Sequence, residues 1–285
     1  MAKATLLALT GSMLATMALV ASAGAEDRDI ETRSIEYRGI NAYRLLQIGR
    51  QSAKWYGAEN EAPLELTYAY VDRRMSFTSA RNCGSMQPIR AVLNGSDIAP
   101  EVFRREAKHA FAIWETVAQI RFVETGDVTK AQILIGAQTQ PLGRAFTNVE
   151  IDDRNPRDGP QAIARSLICF NPTVRWKVGY DGDLDVYDLR YTMAHEIGHA
   201  LGLDHPGASG QLMAYRYDER HQTLQPGDID GILKLYRPTR HAARIRLRAE
   251  QEASRQAGLR NAGTGNATHG PSTGSLGLGD GRARE

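Results

Sequence analysis

Apolar and polar residues alternate with different periods along the chain, and the changes of period mark its elements. Leu64 to Val71 alternates and is rich in β-formers, which predicts a strand. Phe103, Ala107, Ala110, Phe111, Trp114 and Val117 then recur at helical spacing behind Pro100, as one apolar face of an amphipathic helix. Ile120 to Glu124 and Ala131 to Ala137 predict short strands, the second apolar almost throughout, as suits a buried strand. Gly143 to Ile151 is more polar and predicts a strand at a sheet edge, and Arg165 to Phe170 predicts another strand. Asp188 is placed to cap a helix over 189–201, with Met193, Ile197, Ala200 and Leu201 as its core stripe. A last helix follows Pro226, with Ile229, Ile232, Leu233 and Tyr236 on one face, and Pro238 closes the domain. Arg73 to Asp97 has no clear period and holds Gly84, Pro88 and Gly95, so it reads as a long loop or insertion.

The two ends of the chain follow different rules. Lys3, the apolar run Thr5 to Val20 and the small residues Ala21 to Ala25 predict an export signal over 1–25. An uncleaved membrane anchor is the competing reading; the run is short for that and ends in cleavage-type residues. Residues 26–53 are polar and read as a short leader or propeptide, 54–238 as the main domain, and 239–285 as a tail. From Arg237 to Glu285 there are nine Arg against four acids, so the tail starts as a basic helix to about Arg260. Asn261 to Gly281 is rich in Gly, Ser and Thr and is expected to be disordered. The tail is either a solvated appendage or a contact for anionic lipid or polyanion surfaces.

Composition adds bounds. Of the 285 residues, 42% are hydrophobic and 24% charged, enough apolar material for a packed core. The net charge of +2 gives no ground for nucleic-acid binding. There are two cysteines, Cys83 and Cys169, and in an exported protein a disulfide between them is the default.

The chemistry concentrates in His195-Glu196-Ile197-Gly198-His199-Ala200-Leu201-Gly202-Leu203-Asp204-His205. On a helix His195 and His199 stand about 40° apart and one turn along, so both imidazoles reach one zinc ion. Gly202 permits a sharp helix end, after which His205 swings back as the third nitrogen. Three protein ligands leave a position open for water, the mark of catalytic zinc. Glu196, about 100° round the helix, sits beside the metal as general base toward the zinc-bound water. A polar helix face without metal is the bland alternative.

These eleven residues fit the pattern HExxHxxGxxH, and the chain here resembles the metzincin zinc peptidases, most closely the matrixin and serralysin branches. Trp55 before Leu66-Thr67-Tyr68, Phe111 with Trp114, Ala131-Gln132-Ile133, Asp188-Leu189 and Gln225 to Ile232 agree with it, so the likeness covers roughly Lys54 to Arg237. The resemblance implies an α+β fold of zincin type. Its parts are a twisted, mixed five-stranded sheet with one antiparallel edge strand and three main helices. It also implies that Met213, eight residues after His205, is the Met-turn methionine beneath the metal. Tyr215 matches a tyrosine that in serralysins and astacins approaches zinc. Here it is either an oxyanion donor or an aromatic on the cleft wall.

Departures from the family pattern carry their own expectations. No His lies between His109 and His195, so the second, structural zinc of matrixins is expected to be absent. Asp181 to Asp185 offers hard oxygens for calcium or is a solvated acidic turn, and Asp152-Asp153 with Asp158 is a weaker candidate. The Gly-rich tail lacks the serralysin repeat, so no calcium roll is expected. Cys83-Gly84 is similar to the Cys-Gly pair with which matrixin propeptides block zinc, which makes a latency thiolate the alternative to the disulfide. Arg81 is displaced by one position, however, and the cysteine follows the first strand.

The expected function is that of a secreted or periplasmic monomer hydrolysing protein or peptide substrates. Substrate would lie along Gly143 to Val149, with Ala214 to Gln225 as a wall of the specificity pocket. A non-catalytic zinc-containing binding module is the other reading.

Overall fold

The computed structural model describes residues 43–248 apart from 58–61, 141–142, 153–158 and 208–209, together with 251, 254 and 255. The export signal, the leader before residue 43 and the Gly-rich segment 261–281 lie outside the described residues.

Three short strands come first: β1 (Arg44–Leu45), β2 (Gln47–Ile48) and β3 (Gln51–Lys54). Next are β4 (Leu64–Tyr70), the hairpin strands β5 (Met75–Ser76) and β6 (Ser85–Met86), and helices α1 (Arg90–Ser96) and α2 (Pro100–Glu115). Strands β7 (Ile120–Glu124), β8 (Ile133–Ala137), β9 (Ala145–Ile151) and β10 (Gln161–Phe170) follow. The remaining elements are β11 (Trp176–Lys177), β12 (Tyr187–Asp188), α3 (Leu189–Ala200), β13 (Leu203–Asp204) and α4 (Pro226–Leu235).

The main sheet runs β7-β4-β8-β10-β9, parallel throughout except for β9, which lies antiparallel on β10 at the edge. This is the mixed α+β sheet expected from the resemblance. Beyond those five strands, β3 lies parallel to the first residues of β10 and β2 turns back on β3.

Strand periodicity divides the core in two. Leu66, Tyr68, Ile133, Ile135, Ile168 and Phe170 point to the helix side of the sheet. Ala69, Val71, Leu134, Leu167 and Cys169 point to the other side, under the β5–β6 hairpin. Every residue of β8 is buried, which is why it is apolar on both faces, whereas every residue of β9 is only half-buried.

Helix α2 buries Phe103, Ala107, Ala110, Phe111 and Trp114, the stripe that its periodicity marks. Trp114 is fully buried and its indole N–H donates to Ala194 O at 2.9 Å, tying α2 to α3. Such a buried Trp is worth about 3–5 kcal/mol over Ala. Glu106, also buried, answers Arg190 of α3 at 2.6 Å. Trp55 donates its indole N–H to Ala200 O at 2.8 Å, and the Tyr236 hydroxyl donates to Leu201 O at 2.8 Å, so the end of α3 is held from both sides.

Three sequence expectations need correction. Arg73 to Asp97 is not a bare loop: it holds β5, β6 and α1, whose seven residues bury only Val92 and Leu93 and so show no period. Strand β10 begins at Gln161, ahead of the expected Arg165, because its first two residues pair with β3. Tyr236 lies beyond α4 in extended backbone. The expected disulfide is present: Cys83 is joined to Cys169 and both are buried, which leaves no latency thiolate. The segment 44–53, at the end of the leader as read from sequence, pairs with the rest of the fold through β1, β2 and β3. Past Pro238, residues 240–248 are helical.

Candidate metal centre

Helix α3 carries the first two histidines on its half-buried side. Asp188 caps it by accepting from Tyr191 N at 2.8 Å, while Met193, Ile197 and Ala200 fill the core behind it. The helix ends at Gly202, whose φ of +99° is open to glycine. A Cβ at that position would stand 2.1 Å from Ala53 O, so the turn is also closed sterically to other residues. The chain then forms β13, pairs with β1, and delivers His205.

The three imidazoles converge. His195 Nε2 lies 2.9 Å from His205 Nε2 and 3.2 Å from His199 Nε2, and the third pair is 3.1 Å apart. Nitrogens about 2.0–2.1 Å from one tetrahedral zinc stand about 3.3 Å from each other, close to this triangle. The other ring nitrogens set the tautomers. His195 Nδ1 donates to Leu212 O at 2.8 Å and His199 Nδ1 to Leu203 O at 2.9 Å, leaving the Nε2 lone pairs free. Burial, and after it the neighbouring imidazole, holds His195 and His205 down to about 3 and His199 to about 4. All three rings are therefore neutral at pH 7, the form in which imidazole binds a metal. The donor set fits zinc. Among the described residues, no other group of three His, Cys, Asp or Glu side chains converges in this way.

Glu196 lies on the same helix and is buried, with 6% of its surface exposed. Burial pushes its carboxyl up to about 7, and a hydrogen bond from Thr147 partly opposes this. Thr147 Oγ1 is 2.7 Å from Glu196 Oε2 and 3.0 Å from Glu196 O, a link between the edge strand β9 and α3. Sequence reasoning assigned Thr147 no role.

Beneath the helix, Met213 is buried and packs where Gly198 leaves room. A Cβ on Gly198 would meet Met213 Sδ at 2.3 Å. Asp228, in the first turn of α4, accepts from Leu212 N at 2.9 Å, Met213 N at 3.0 Å and Gln225 N at 2.8 Å. One carboxylate thus caps α4 and pins the turn that carries both Met213 and the Leu212 carbonyl. Its place three residues into a Pro-initiated helix was the one sequence signal for it. The Arg44–Asp204 ion pair, 3.0 Å, braces β13 just before His205 and had no such signal.

Tyr215 is 85% exposed and its ring meets the His205 ring edge-on at 5.3 Å. The centre opens into a cleft of about 1220 Å³ walled by β9 on one side and by Ala214, Tyr215 and Tyr217 on the other. That is somewhat above the roughly 300–1,000 Å³ of small-molecule pockets.

The acidic loop read as a calcium candidate holds a cation of its own. Lys177 Nζ contacts Asp181 Oδ1, Asp183 O at 2.6 Å and Glu219 Oε1 at 2.6 Å. Of the other candidate, Asp153 and Asp158 lie outside the described residues.

Known proteins with similar sequences agree in kind. The sequence profile of the Matrixin family matches residues 90–237. Metalloendoproteinase 4-MMP of Arabidopsis thaliana is 26% identical over 187 residues, 62% of this chain and 46% of that protein. Matrix metalloproteinase-16 of Rattus norvegicus is 29% identical over 147 residues, 47% of this chain and 24% of that one. Interstitial collagenase of Sus scrofa is 29% identical over 150 residues, 50% of this chain and 30% of that one. The match spans less than half the length of each of these relatives.

Proposed function

This chain belongs to the matrixin family, and from that premise we propose that it is a zinc-dependent endopeptidase with Glu196 as its general base. The observation that carries the reading is the triangle of free Nε2 atoms on His195, His199 and His205, beside a buried carboxylate in a cleft bordered by a sheet edge. When bound by the three histidines, zinc supplies Lewis acidity toward the scissile carbonyl and the attacking water. Substrate backbone adds to β9 as a further strand. Glu196 takes the proton from the attacking water and hands it to the leaving amine nitrogen. Thr147 holds the Glu196 carboxylate in its orientation. Tyr215 donates its hydroxyl to the tetrahedral oxyanion, and Met213 floors the centre. We place the protein outside the cytoplasm, as an exported chain with a disulfide, and assign zinc as the ion held by the three histidines.

Metal analysis and casein digestion test the reading together. The purified chain is expected to hold one zinc, to lose activity with a chelator and to regain it with added zinc. Glu196→Ala is expected to keep its zinc and lose about 10²–10⁴-fold in rate. Zinc bound with equal cleavage by both proteins, or with none by either, points instead to a non-catalytic zinc-binding module.

A further inference from the structure

Two arginines line the cleft, Arg81 and Arg144, and only Arg144 stands on a built support. It immediately precedes β9 and shares the cleft wall with Thr192 and His195 of α3. Its guanidinium carbon lies 3.9 Å from the centroid of the Tyr187 ring. That ring stacks on Tyr217 at 4.2 Å, and Tyr217 meets Tyr191 edge-on at 4.7 Å. The Tyr217 hydroxyl donates to Glu219 at 2.8 Å and accepts from Asp188 N at 3.0 Å, so the stack is fixed at its base. The backbone is fixed as well, with Arg144 O accepting from Asn171 N at 2.8 Å and Gly143 O from the Asn171 amide at 2.7 Å. Among the described residues no carboxylate forms an ion pair with Arg144, although the side chain is half-buried.

A guanidinium held over an aromatic ring by cation–π attraction spends none of its N–H donors on a carboxylate. Those donors match the two oxygens of a carboxylate. Thr147, in contact with Glu196, marks the reacting centre, and Arg144 is three residues earlier, about 10 Å along an extended strand. A peptide laid antiparallel on β9 runs C-terminally from the scissile bond toward Arg144.

We propose that Arg144 is a specificity residue that selects substrates with a carboxylate two or three residues to the C-terminal side of the scissile bond. The carboxylate is either an Asp or Glu side chain or the C-terminus of the peptide. The inference rests on the endopeptidase reading above.

The test uses the zinc-loaded full chain and fluorogenic peptides built on a casein site that it cuts. Glu is scanned through three positions on each side of the bond, each against Gln, and peptides ending at the same positions are compared as free acid and amide. Wild type is expected to prefer Glu over Gln about 10- to 100-fold in kcat/KM at one position beyond the bond. The preference should fall to near one in Arg144→Ala and turn toward Lys in Arg144→Glu, while Arg81→Ala keeps it. A preference confined to the acid-against-amide pair assigns the carboxylate to the C-terminus. Ratios near one throughout in wild type, or a preference that survives Arg144→Ala or vanishes in Arg81→Ala, overturn the proposal. No cleavage of casein by the zinc-loaded protein is a separate result, which removes the endopeptidase reading and this one with it.

Discussion

Thr147 sets one hydroxyl between two oxygens of Glu196, the carboxylate at 2.7 Å and the main-chain carbonyl at 3.0 Å. A single proton shared this way limits rotation of a buried carboxylate that otherwise has few partners. A hydrogen bond to a charged group is worth about 1.5–3 kcal/mol, or roughly 10- to 100-fold in rate if felt fully at the transition state. Thr147→Val keeps the shape and removes the donor. It is expected to lower kcat on a fluorogenic peptide by about that factor with KM little changed, and Thr147→Ser to recover most of it. A Val variant as fast as wild type would show that Glu196 holds its own aim. At the same scale, Gly198 and Gly202 matter by what they lack. One leaves the space that the Met213 sulfur fills, and the other passes under Ala53 O.

Among the elements, the edge strand β9 depends on its neighbours more than on its own sequence. The Asn148 side chain accepts from Arg81 N at 3.0 Å, and Cys83, two residues on, is bonded to Cys169 on β10. The disulfide therefore fastens the loop that borders β9. It spans 86 residues, and removing a cross-link of that reach costs about 2–4 kcal/mol. Urea unfolding of a Cys83→Ala/Cys169→Ala double variant is expected to show that loss. A midpoint equal to the wild type, with unchanged slope, would deny the bond a stabilising part. How much was legible follows from the same distinction. Helix α2 was readable because it buries a continuous stripe, α3 because Asp188 caps it and the histidine spacing marks its metal side although most of the helix is buried, and β8 because both its faces are covered. Helix α1 was not, since it is seven residues long and ends on Asp97 in a left-handed conformation instead of on a glycine. Strands β1 to β3 are two to four residues long, and although Leu45, Ile48 and Ala53 pack into the core, each strand is too short to show a hydrophobic period. The histidine triad is local in sequence and stood out. Thr147, Asp228 and Arg44 act across the fold, and their residue types alone are uninformative.

For the molecule as a whole, little-exposed ion pairs join segments far apart in sequence. Lys177 and Glu219 form one of them, with 12% and 10% of their side chains exposed, joining the acidic loop to the wall behind Tyr217. The Lys177 and Tyr217 hydrogen bonds and the Gly182 N–H together outweigh burial and hold the Glu219 carboxyl below its ordinary value of 4.5. A carboxyl depressed in the folded state contributes stability above its unfolded value and loses it as pH falls through the folded one. Thermal unfolding of Glu219→Gln is accordingly expected to fall below wild type at pH 6–7. The gap should narrow progressively once the pH drops below about 4.5. A gap that is constant with pH would assign the effect to shape and not to charge.

The pairing of Arg44–Leu45 with Leu203–Asp204 has a kinetic consequence. The frame of His205 is complete only when the start of the described chain has met a segment about 160 residues downstream. Contacts so distant in sequence form late, because loop closure must be met first. Closing the frame of the third ligand is therefore expected to lag behind the local helix that carries His195 and His199, and zinc uptake during refolding to lag behind helix formation.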